Sequence, residues 1–140
     1  MVNIDSLIVD FTAPRVEDFL SLREKSGRQN VSAKDAKASL DNSLFHVAVY
    51  FEEQLVGMGR VVGDGVMYFY VQDIVVLPDY QGLGIGALIM QNIENYLSST
   101  AIKGSTIGLL AVKGKEAFYA RYNYIERPNA SLGHGMCKFI

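Results

Sequence analysis

The pattern of apolar and polar positions predicts alternating strands and helices along the whole chain. A short apolar run at Leu7 to Phe11 predicts a first strand. Two segments with one apolar side follow, the first beginning after Pro14 and the second running from about Ala33 to Leu40, and both predict helices. Proline suits the first turn of the first helix, and Ser32 suits the N-cap of the second.

Three segments rich in β-branched and aromatic residues come next. They run from Leu44 to Phe51, from Leu55 to Val62 and from Met67 to Leu77. Short polar turns separate them, including the strong turn signal Gly63-Asp64-Gly65. Because short turns join antiparallel neighbours, these segments predict a β-meander.

The second half of the chain begins with an amphipathic helix and continues with shorter elements. The helix is expected from about Gly84 to Ser98, because its apolar residues recur at helical spacing. The remaining predictions are a strand at Thr106 to Val112, a helix at Glu116 to Tyr122, and strands at Tyr124 to Glu126 and Met136 to Ile140. The order β-α-α-β-β-β-α-β-α-β-β predicts an α/β fold with a mixed sheet, in a single domain over residues 1–140.

Composition narrows the classes of partner and of site. Of the 140 residues, 49% are hydrophobic, which is enough for a core, and the net charge of -2 argues against nucleic acid as the main partner. A single cysteine cannot form an internal disulfide, and it gives no zinc site with two scattered histidines. No apolar stretch reaches about 18 residues and no signal peptide is recognisable, so we expect a cytoplasmic protein without a membrane span and without a metal.

A glycine-rich turn, Gln81-Gly82-Leu83-Gly84-Ile85-Gly86-Ala87, joins the third meander strand to the long helix. A helix N-terminus leaves backbone N–H groups without partners, and the helix dipole adds positive charge there. Glycines allow a ligand to approach this backbone closely. The turn therefore indicates a phosphate or pyrophosphate site. The alternative is a glycine-rich helix cap that binds nothing.

The same turn satisfies the dinucleotide pattern G-x-G-x-x-A at Gly82, Gly84 and Ala87. Two features disfavour a dinucleotide ligand. A meander precedes the glycines where βαβ units would be expected, and the next predicted strand ends at Ala111-Val112 without the acidic residue that binds a ribose.

Three motifs together resemble the GNAT acetyltransferases over nearly the whole chain. Gln81-x-x-Gly84-x-Gly86 is similar to the Q/R-x-x-G-x-G/A motif of that family. The run Ile74 to Tyr80 resembles its preceding strand, and Ala117 to Tyr124 resembles its late helix and the strand after it. Asn123 stands where glycine is usual, and asparagine tolerates the left-handed conformation needed there.

The resemblance implies acetyl-CoA as the acetyl donor and assigns its contacts. Backbone N–H groups of the turn would hold the pyrophosphate. The strand before the turn would splay from Thr106 to Val112, so that the pantetheine arm pairs with its free backbone, and an N–H near Val75 or Val76 would polarise the thioester carbonyl. The cofactor-binding residues implied are Ile74, Val75, Val76, Gln81, Gly82, Leu83, Gly84, Ile85, Gly86 and Ala87.

Tyr119 and Asp73 are the candidate catalytic residues. Tyr119 matches the family's tyrosine that protonates the departing thiolate, and the alternative is a packing aromatic beside Phe118 and Tyr122. Asp73 is an acid inside an apolar strand, where burial could raise its pKa into the range of a general base. The alternative for Asp73 is a structural carboxylate bonded to the first two helices.

The acceptor pocket is expected between the first two helices and the meander strands. Arg23, Arg28, Tyr68 and Tyr70 are its candidate lining residues, and arginines there would suit a carboxylate or phosphate on the acceptor. The expected activity is acetyl transfer to a primary amine of a small molecule or a protein by direct attack in a ternary complex, with a homodimer as the expected assembly. The alternative is a CoA-binding sensor or interaction module without turnover.

Overall fold

A computed structural model describes residues 2–140 of the chain. The fold consists of two compact units, Met1–Ile107 and Gly108–Ile140. The first unit holds a 3-10 turn at Ile4–Ser6 and the elements β1 (Ile8–Asp10), α1 (Val16–Lys25), α2 (Ala33–Asp41), β2 (Phe45–Phe51), β3 (Gln54–Gly63), β4 (Tyr68–Val76), a second 3-10 turn (Pro78–Tyr80) and α3 (Ile85–Thr100). It ends within β5 (Thr106–Gly108), and the second unit holds α4 (Glu116–Ala120).

The sheet has the strand order β1-β2-β3-β4-β5. Strands β1 to β4 pair as antiparallel neighbours, as the short turns predict. Asp64 forms one of these turns, where its carboxylate accepts hydrogen bonds from the N–H groups of Val66, Met67 and Tyr68. These bonds lower the pKa of the Asp64 carboxyl, because they favour its charged form.

Helix α3 packs on one face of the sheet through two glycines of β3. A Cβ added to Gly59 would lie 2.6 Å from Ile74 Cδ1 and 2.7 Å from Ile89 Cγ2, and one added to Gly57 would lie 3.0 Å from Ile85 Cγ2. The absence of side chains at these two positions lets the helix approach the strand closely. Burying Ile89 or Ile93 stabilises the fold by roughly 1.5–3 kcal/mol each.

The opposite face of the sheet carries α1 and α2. Ser32 caps α2 as predicted, because its side chain accepts a hydrogen bond of 3.1 Å from the N–H of Asp35. Arg60 of β3 reaches this face and donates to the carbonyl and the hydroxyl of Ser39 on α2. Even-numbered residues of β3 therefore point toward α1 and α2, and Gly57 and Gly59 point toward α3.

The predicted α/β fold class is confirmed, and the predicted elements are found in order as far as α4. The bounds differ by one or two residues elsewhere, and the larger differences lie in the C-terminal part. The strand predicted at Thr106 to Val112 ends at Gly108, and neither Tyr124 to Glu126 nor Met136 to Ile140 forms a strand. These segments have strand-like composition, but a strand also needs a neighbour to pair with, which composition does not specify. The single domain over residues 1–140 stays a prediction.

Candidate active site

A β-bulge interrupts β4 at Asp73. Met58 pairs with Val75, and Arg60 pairs with Gln72, so one residue of β3 faces two residues of β4. Asp73 takes the left-handed conformation at φ 56°, which is uncommon for a residue other than glycine. An extra residue re-aims the side chains of a strand. The bulge therefore turns the Asp73 carboxylate toward the face that carries α1 and α2.

Two arginines hold the buried Asp73 carboxylate, one on each oxygen. Arg23 Nη1 on α1 donates to Oδ1 at 2.6 Å, and Arg60 Nε on β3 donates to Oδ2 at 2.8 Å. The side chain of Asp73 is 0% exposed, and that of Arg60 is 9% exposed. Charged groups buried this deeply need such partners. These contacts favour the structural alternative for Asp73, and its role as a base stays a prediction.

The two arginines are themselves well satisfied by further acceptors. Arg23 Nε donates to Asn30 Oδ1 at 3.1 Å, and Arg23 Nη2 donates to the Gln29 carbonyl at 2.7 Å. Arg60 also donates to Ser39 and to the Ser43 hydroxyl. The network thereby connects α1, the loop between α1 and α2, and α2 to the bulge of β4.

Arg28 lies beside this network but is held more loosely. Its Nη1 is 3.9 Å from Asp73 Oδ1, and its Nη2 donates to the Ile74 carbonyl at 3.4 Å. Its side chain is 28% exposed. Arg28 thus brings a third guanidinium to a single carboxylate, at the point where β4 bulges.

After the bulge, every second residue of β4 points its backbone N–H and C=O groups away from β3. The Leu77 N–H donates to the Val56 carbonyl of β3 at 2.8 Å. The backbone N–H and C=O groups of successive residues point to opposite edges of a strand. Those of Val75 therefore also point toward β3, whereas those of Ile74 and Val76 point toward the other edge of β4. Within the first unit, β5 meets only the opposite end of β4, where the Thr106 N–H donates to the Met67 carbonyl.

Two side chains approach this edge. Gln81 Nε2 donates to the Val76 carbonyl at 3.1 Å, and Arg28 contacts the Ile74 carbonyl. Ile74 and Val76 therefore direct their backbone groups to this edge, where both carbonyls accept side-chain hydrogen bonds, whereas Val75 directs its backbone groups to β3.

The glycine turn leads directly into α3. Gly82 has φ 79° and Gly84, the N-cap of α3, has φ 87°, so both occupy the region that favours glycine. No side chain among the described residues caps the helix, and its first turn contains no acidic residue. A Cβ added to Gly82 would meet no atom of residues 2–140 within 4 Å. The turn thus offers open space beside free N–H groups, which fits the pyrophosphate of coenzyme A.

The two candidate tyrosines of β4 lie on the face of the ion network. Gln72 pairs with Arg60, and Tyr70 and Tyr68 share its side of the strand by alternation. Tyr70 is half-buried and Tyr68 is 58% exposed. All four predicted acceptor residues, Arg23, Arg28, Tyr68 and Tyr70, therefore lie on the same side of the sheet.

The second unit places Tyr119 among aromatic rings. Its ring centroid lies 5.0 Å from that of Phe118 and 6.4 Å from that of Tyr124, both at edge-to-face angles. Phe118 also contacts Tyr122 edge-to-face at 5.8 Å. Asn123 has φ 69°, the left-handed conformation expected of it. Packing and catalysis are both compatible with this setting, so the role of Tyr119 stays a prediction.

Arg60 was not among the candidate site residues. A signal was present in the sequence, because Arg60 and Asp73 are the lone charged residues of two apolar strands joined by a short turn. Opposite charges on paired strands predict an ion pair.

Neither a metal site nor a membrane span is found among residues 2–140. No group of His, Cys, Asp and Glu within residues 2–140 is arranged to hold a metal ion. No helix in the described part of the chain is both long enough and apolar enough to cross a membrane.

Proteins of known family are similar to this chain in sequence and in fold. A family model described as an acetyltransferase (GNAT) domain matches residues 16–138. A Staphylococcus aureus protein of solved structure has a TM-score of 0.86 and 32% identity, with 95% of this chain and 99% of that chain covered. The uncharacterized N-acetyltransferase ycf52 of Pyropia yezoensis is 30% identical over 104 residues, which are 71% of this chain. Serotonin N-acetyltransferase 2 of Oryza sativa is 35% identical over 78 residues, which are 56% of this chain.

The matched regions account for only part of the curated relatives. They span 59% of the Pyropia yezoensis protein and 38% of the rice protein. The family match, by contrast, extends over most of this chain and includes both the bulged strand and the glycine turn. The chain belongs to the GNAT family of acetyltransferases.

Proposed function

We propose that the protein transfers an acetyl group from acetyl-CoA to a primary amine by direct attack in a ternary complex. One observation carries the proposal. The backbone of β4 that faces away from β3, at Ile74 and Val76, leads within a few residues to the uncapped N-terminus of α3. A thioester donor that carries a pyrophosphate and an amide-containing arm needs these two features in this order.

The glycine turn would hold the diphosphate through backbone N–H groups from Gly82 to Ala87, because the Gln81 N–H, the other predicted donor, is bonded to the Pro78 carbonyl at 3.3 Å. A carboxylate in the first turn of α3 would repel such an anion, and that turn contains none. The arm would pair with Ile74 and Val76 as an added strand, which requires Arg28 and Gln81 to release the two carbonyls.

When bound, acetyl-CoA supplies an activated thioester carbonyl. In this proposal the Val76 N–H donates to the carbonyl oxygen as negative charge develops there. Val75, the other predicted donor, directs its N–H toward Met58 of β3 and is therefore occupied.

The two candidate catalytic side chains have different parts in this proposal. Both oxygens of Asp73 accept from guanidiniums, so we assign Asp73 to positioning the bulge. In this proposal the attacking amine passes its proton to solvent water as the C–N bond forms and the C–S bond breaks. Tyr119 remains the candidate acid that protonates the departing thiolate, on the basis of its place in the family motif. The name of the rice relative specifies an amine acceptor, which supports an amine here.

Two measurements test the proposal. Acetyl-CoA at about 100 times its Kd is expected to raise the Tm by about 5–10 °C, whereas NAD at the same concentration leaves it unchanged. Release of free CoA is then measured with a broad panel of primary amines. Stabilisation by acetyl-CoA without acetylation of any amine would favour the alternative of a CoA-binding module, and stabilisation by NAD alone would refute the proposal.

A further inference from the structure

The arginine cluster at the bulge carries more positive charge than its carboxylate balances. Arg23, Arg28 and Arg60 converge on Asp73, and no other acidic side chain is paired with them among the described residues. Neighbouring like charges repel each other more strongly where water is partly excluded. A local conflict of this kind indicates a function for the surplus charge.

The positive charge that the Asp73 carboxylate does not balance is that of Arg28. Arg23 and Arg60 each donate to Asp73 at less than 3 Å and have further acceptors. The two contacts of Arg28 within residues 2–140 are longer, 3.9 Å to the carboxylate and 3.4 Å to the Ile74 carbonyl. A guanidinium has five donors, so most of its capacity is available to a ligand.

The position of Arg28 links this charge to the acceptor. Its guanidinium lies at the carbonyl of Ile74, on the strand segment where the proposed function puts the pantetheine arm. It is more exposed than Arg23 or Arg60, so a ligand can reach it from solvent. Planar guanidinium groups bind carboxylates and phosphates through paired hydrogen bonds.

We propose that Arg28 binds a carboxylate or phosphate group of the amine acceptor, so that the enzyme prefers anionic amines over neutral ones. This inference rests on the proposed function. Arg23 and Arg60 contribute indirectly, because they occupy Asp73 and leave Arg28 free for the acceptor. Binding of the anion would also draw Arg28 away from the Ile74 carbonyl, which the pantetheine arm needs.

Matched pairs of acceptors test the preference. Phosphoethanolamine is compared with ethanolamine, and β-alanine with β-alaninamide, by measuring kcat/KM for CoA release at saturating acetyl-CoA. We expect an anionic member to be preferred about 10- to 100-fold, the effect of one charge-assisted hydrogen-bonded contact. The pair with the larger ratio identifies phosphate or carboxylate as the group bound. Equal use of both members, or preference for the neutral members, overturns the inference while leaving the proposed function intact.

Two variants assign the preference to one side chain. Arg28→Gln is expected to lower kcat/KM for the anionic amines about 10- to 100-fold more than kcat/KM for the neutral amines, which removes the preference. Lys25→Gln is the control, because it removes an exposed positive charge from the nearby end of α1 that has no contact with Asp73. An equal loss on anionic and neutral amines in Arg28→Gln would refute the assignment.

A binding measurement covers the case in which no acetyl transfer is found. Phosphoethanolamine is titrated calorimetrically into the CoA-saturated protein, so that the glycine turn is already occupied. Binding that Arg28→Gln weakens at least tenfold and Lys25→Gln does not would support the anion site even if the proposed function failed. Binding that is absent, or that is equal in the two variants, overturns the inference.

Discussion

Arg60 and Asp73 form a buried ion pair across two adjacent strands, although the bulge leaves Arg60 paired in the ladder with Gln72 and not with Asp73. The distance between Arg60 Nε and Asp73 Oδ2 is 2.8 Å, and neither side chain is more than 9% exposed. The left-handed conformation of Asp73 makes this pairing geometrically compatible with the ladder on both sides. The pair therefore fixes the strand distortion on which the proposed donor site depends.

Replacing Asp73 by Asn is expected to lower the free energy of unfolding by about 3–5 kcal/mol. The substitution leaves two guanidiniums without their buried counter-charge. Urea denaturation measures the change, and Asp79→Asn, at an exposed position after β4, is the control with little expected effect. Unchanged stability together with a loss of the acidic limb of the kcat–pH profile would instead identify Asp73 as the general base.

Replacing Gly82 by Ala is expected to weaken acetyl-CoA binding at least about tenfold. The added methyl group projects into open space beside the N–H groups of the turn, where the pyrophosphate is proposed to bind. The positive φ of Gly82 should also cost about 1 kcal/mol of stability.

Gly104→Ala is the matched control for this substitution. Gly104 has φ 99°, and a Cβ added there would also meet no described atom within 4 Å. The Gly104→Ala variant should therefore show the same strain without the loss of acetyl-CoA binding. Calorimetric titration of both variants with acetyl-CoA separates the two effects. Equal Kd values for acetyl-CoA in the two variants would contradict the assignment of the turn.

Replacing Tyr119 by Phe is expected to lower kcat about 10²- to 10⁴-fold, the usual contribution of general acid catalysis. Phenylalanine keeps the edge contacts of the ring with Phe118 and Tyr124, and the Tm of the variant measures what the loss of the hydroxyl does to stability. Tyr122→Phe, which also keeps its ring contact with Phe118, is the control. If the two variants retain equal kcat values, Tyr119 is a packing residue.

His46 predicts a pH dependence of stability. Burial lowers the pKa of His46, the charge of Arg60 lowers it further, and the Leu40 backbone and Asp41 only partly oppose these effects. The unfolded chain, with a histidine pKa near 6.5, therefore binds a proton more readily than the folded chain. The stabilisation should be complete above about pH 6.5 and decrease as the pH falls toward the lower folded pKa.

The contribution of His46 is measured by urea denaturation between pH 5 and pH 8. His46→Gln should reduce the decrease in stability below pH 6.5, and the control His134→Gln, at an exposed position, should not. A wild-type slope in His46→Gln would show that other groups cause it.

Local patterns in the sequence predicted the meander, the cap at Ser32 and the glycine turn, because each depends on residues close together in the chain. The bulge at Asp73 was not predicted. It depends on partners 13 and 50 residues away, Arg60 and Arg23, and on Gly59, which leaves space for Ile74 and α3. The longer contact of Arg28 with Asp73 could not be predicted either, since it differs from the contact of Arg23 with Asp73 by only about 1 Å.

The backbone edge at Ile74 and Val76 also bears on self-association. An open strand edge is a template on which a second chain can add a strand, and natural proteins protect such edges with charged side chains. Arg28 and Gln81 contact the two carbonyls at this edge. The two side chains that the donor would displace thus oppose edge-to-edge aggregation of the free protein. Variants that lack either one should aggregate more, and excess CoA during purification should reduce that aggregation because its pantetheine arm would cover the same edge.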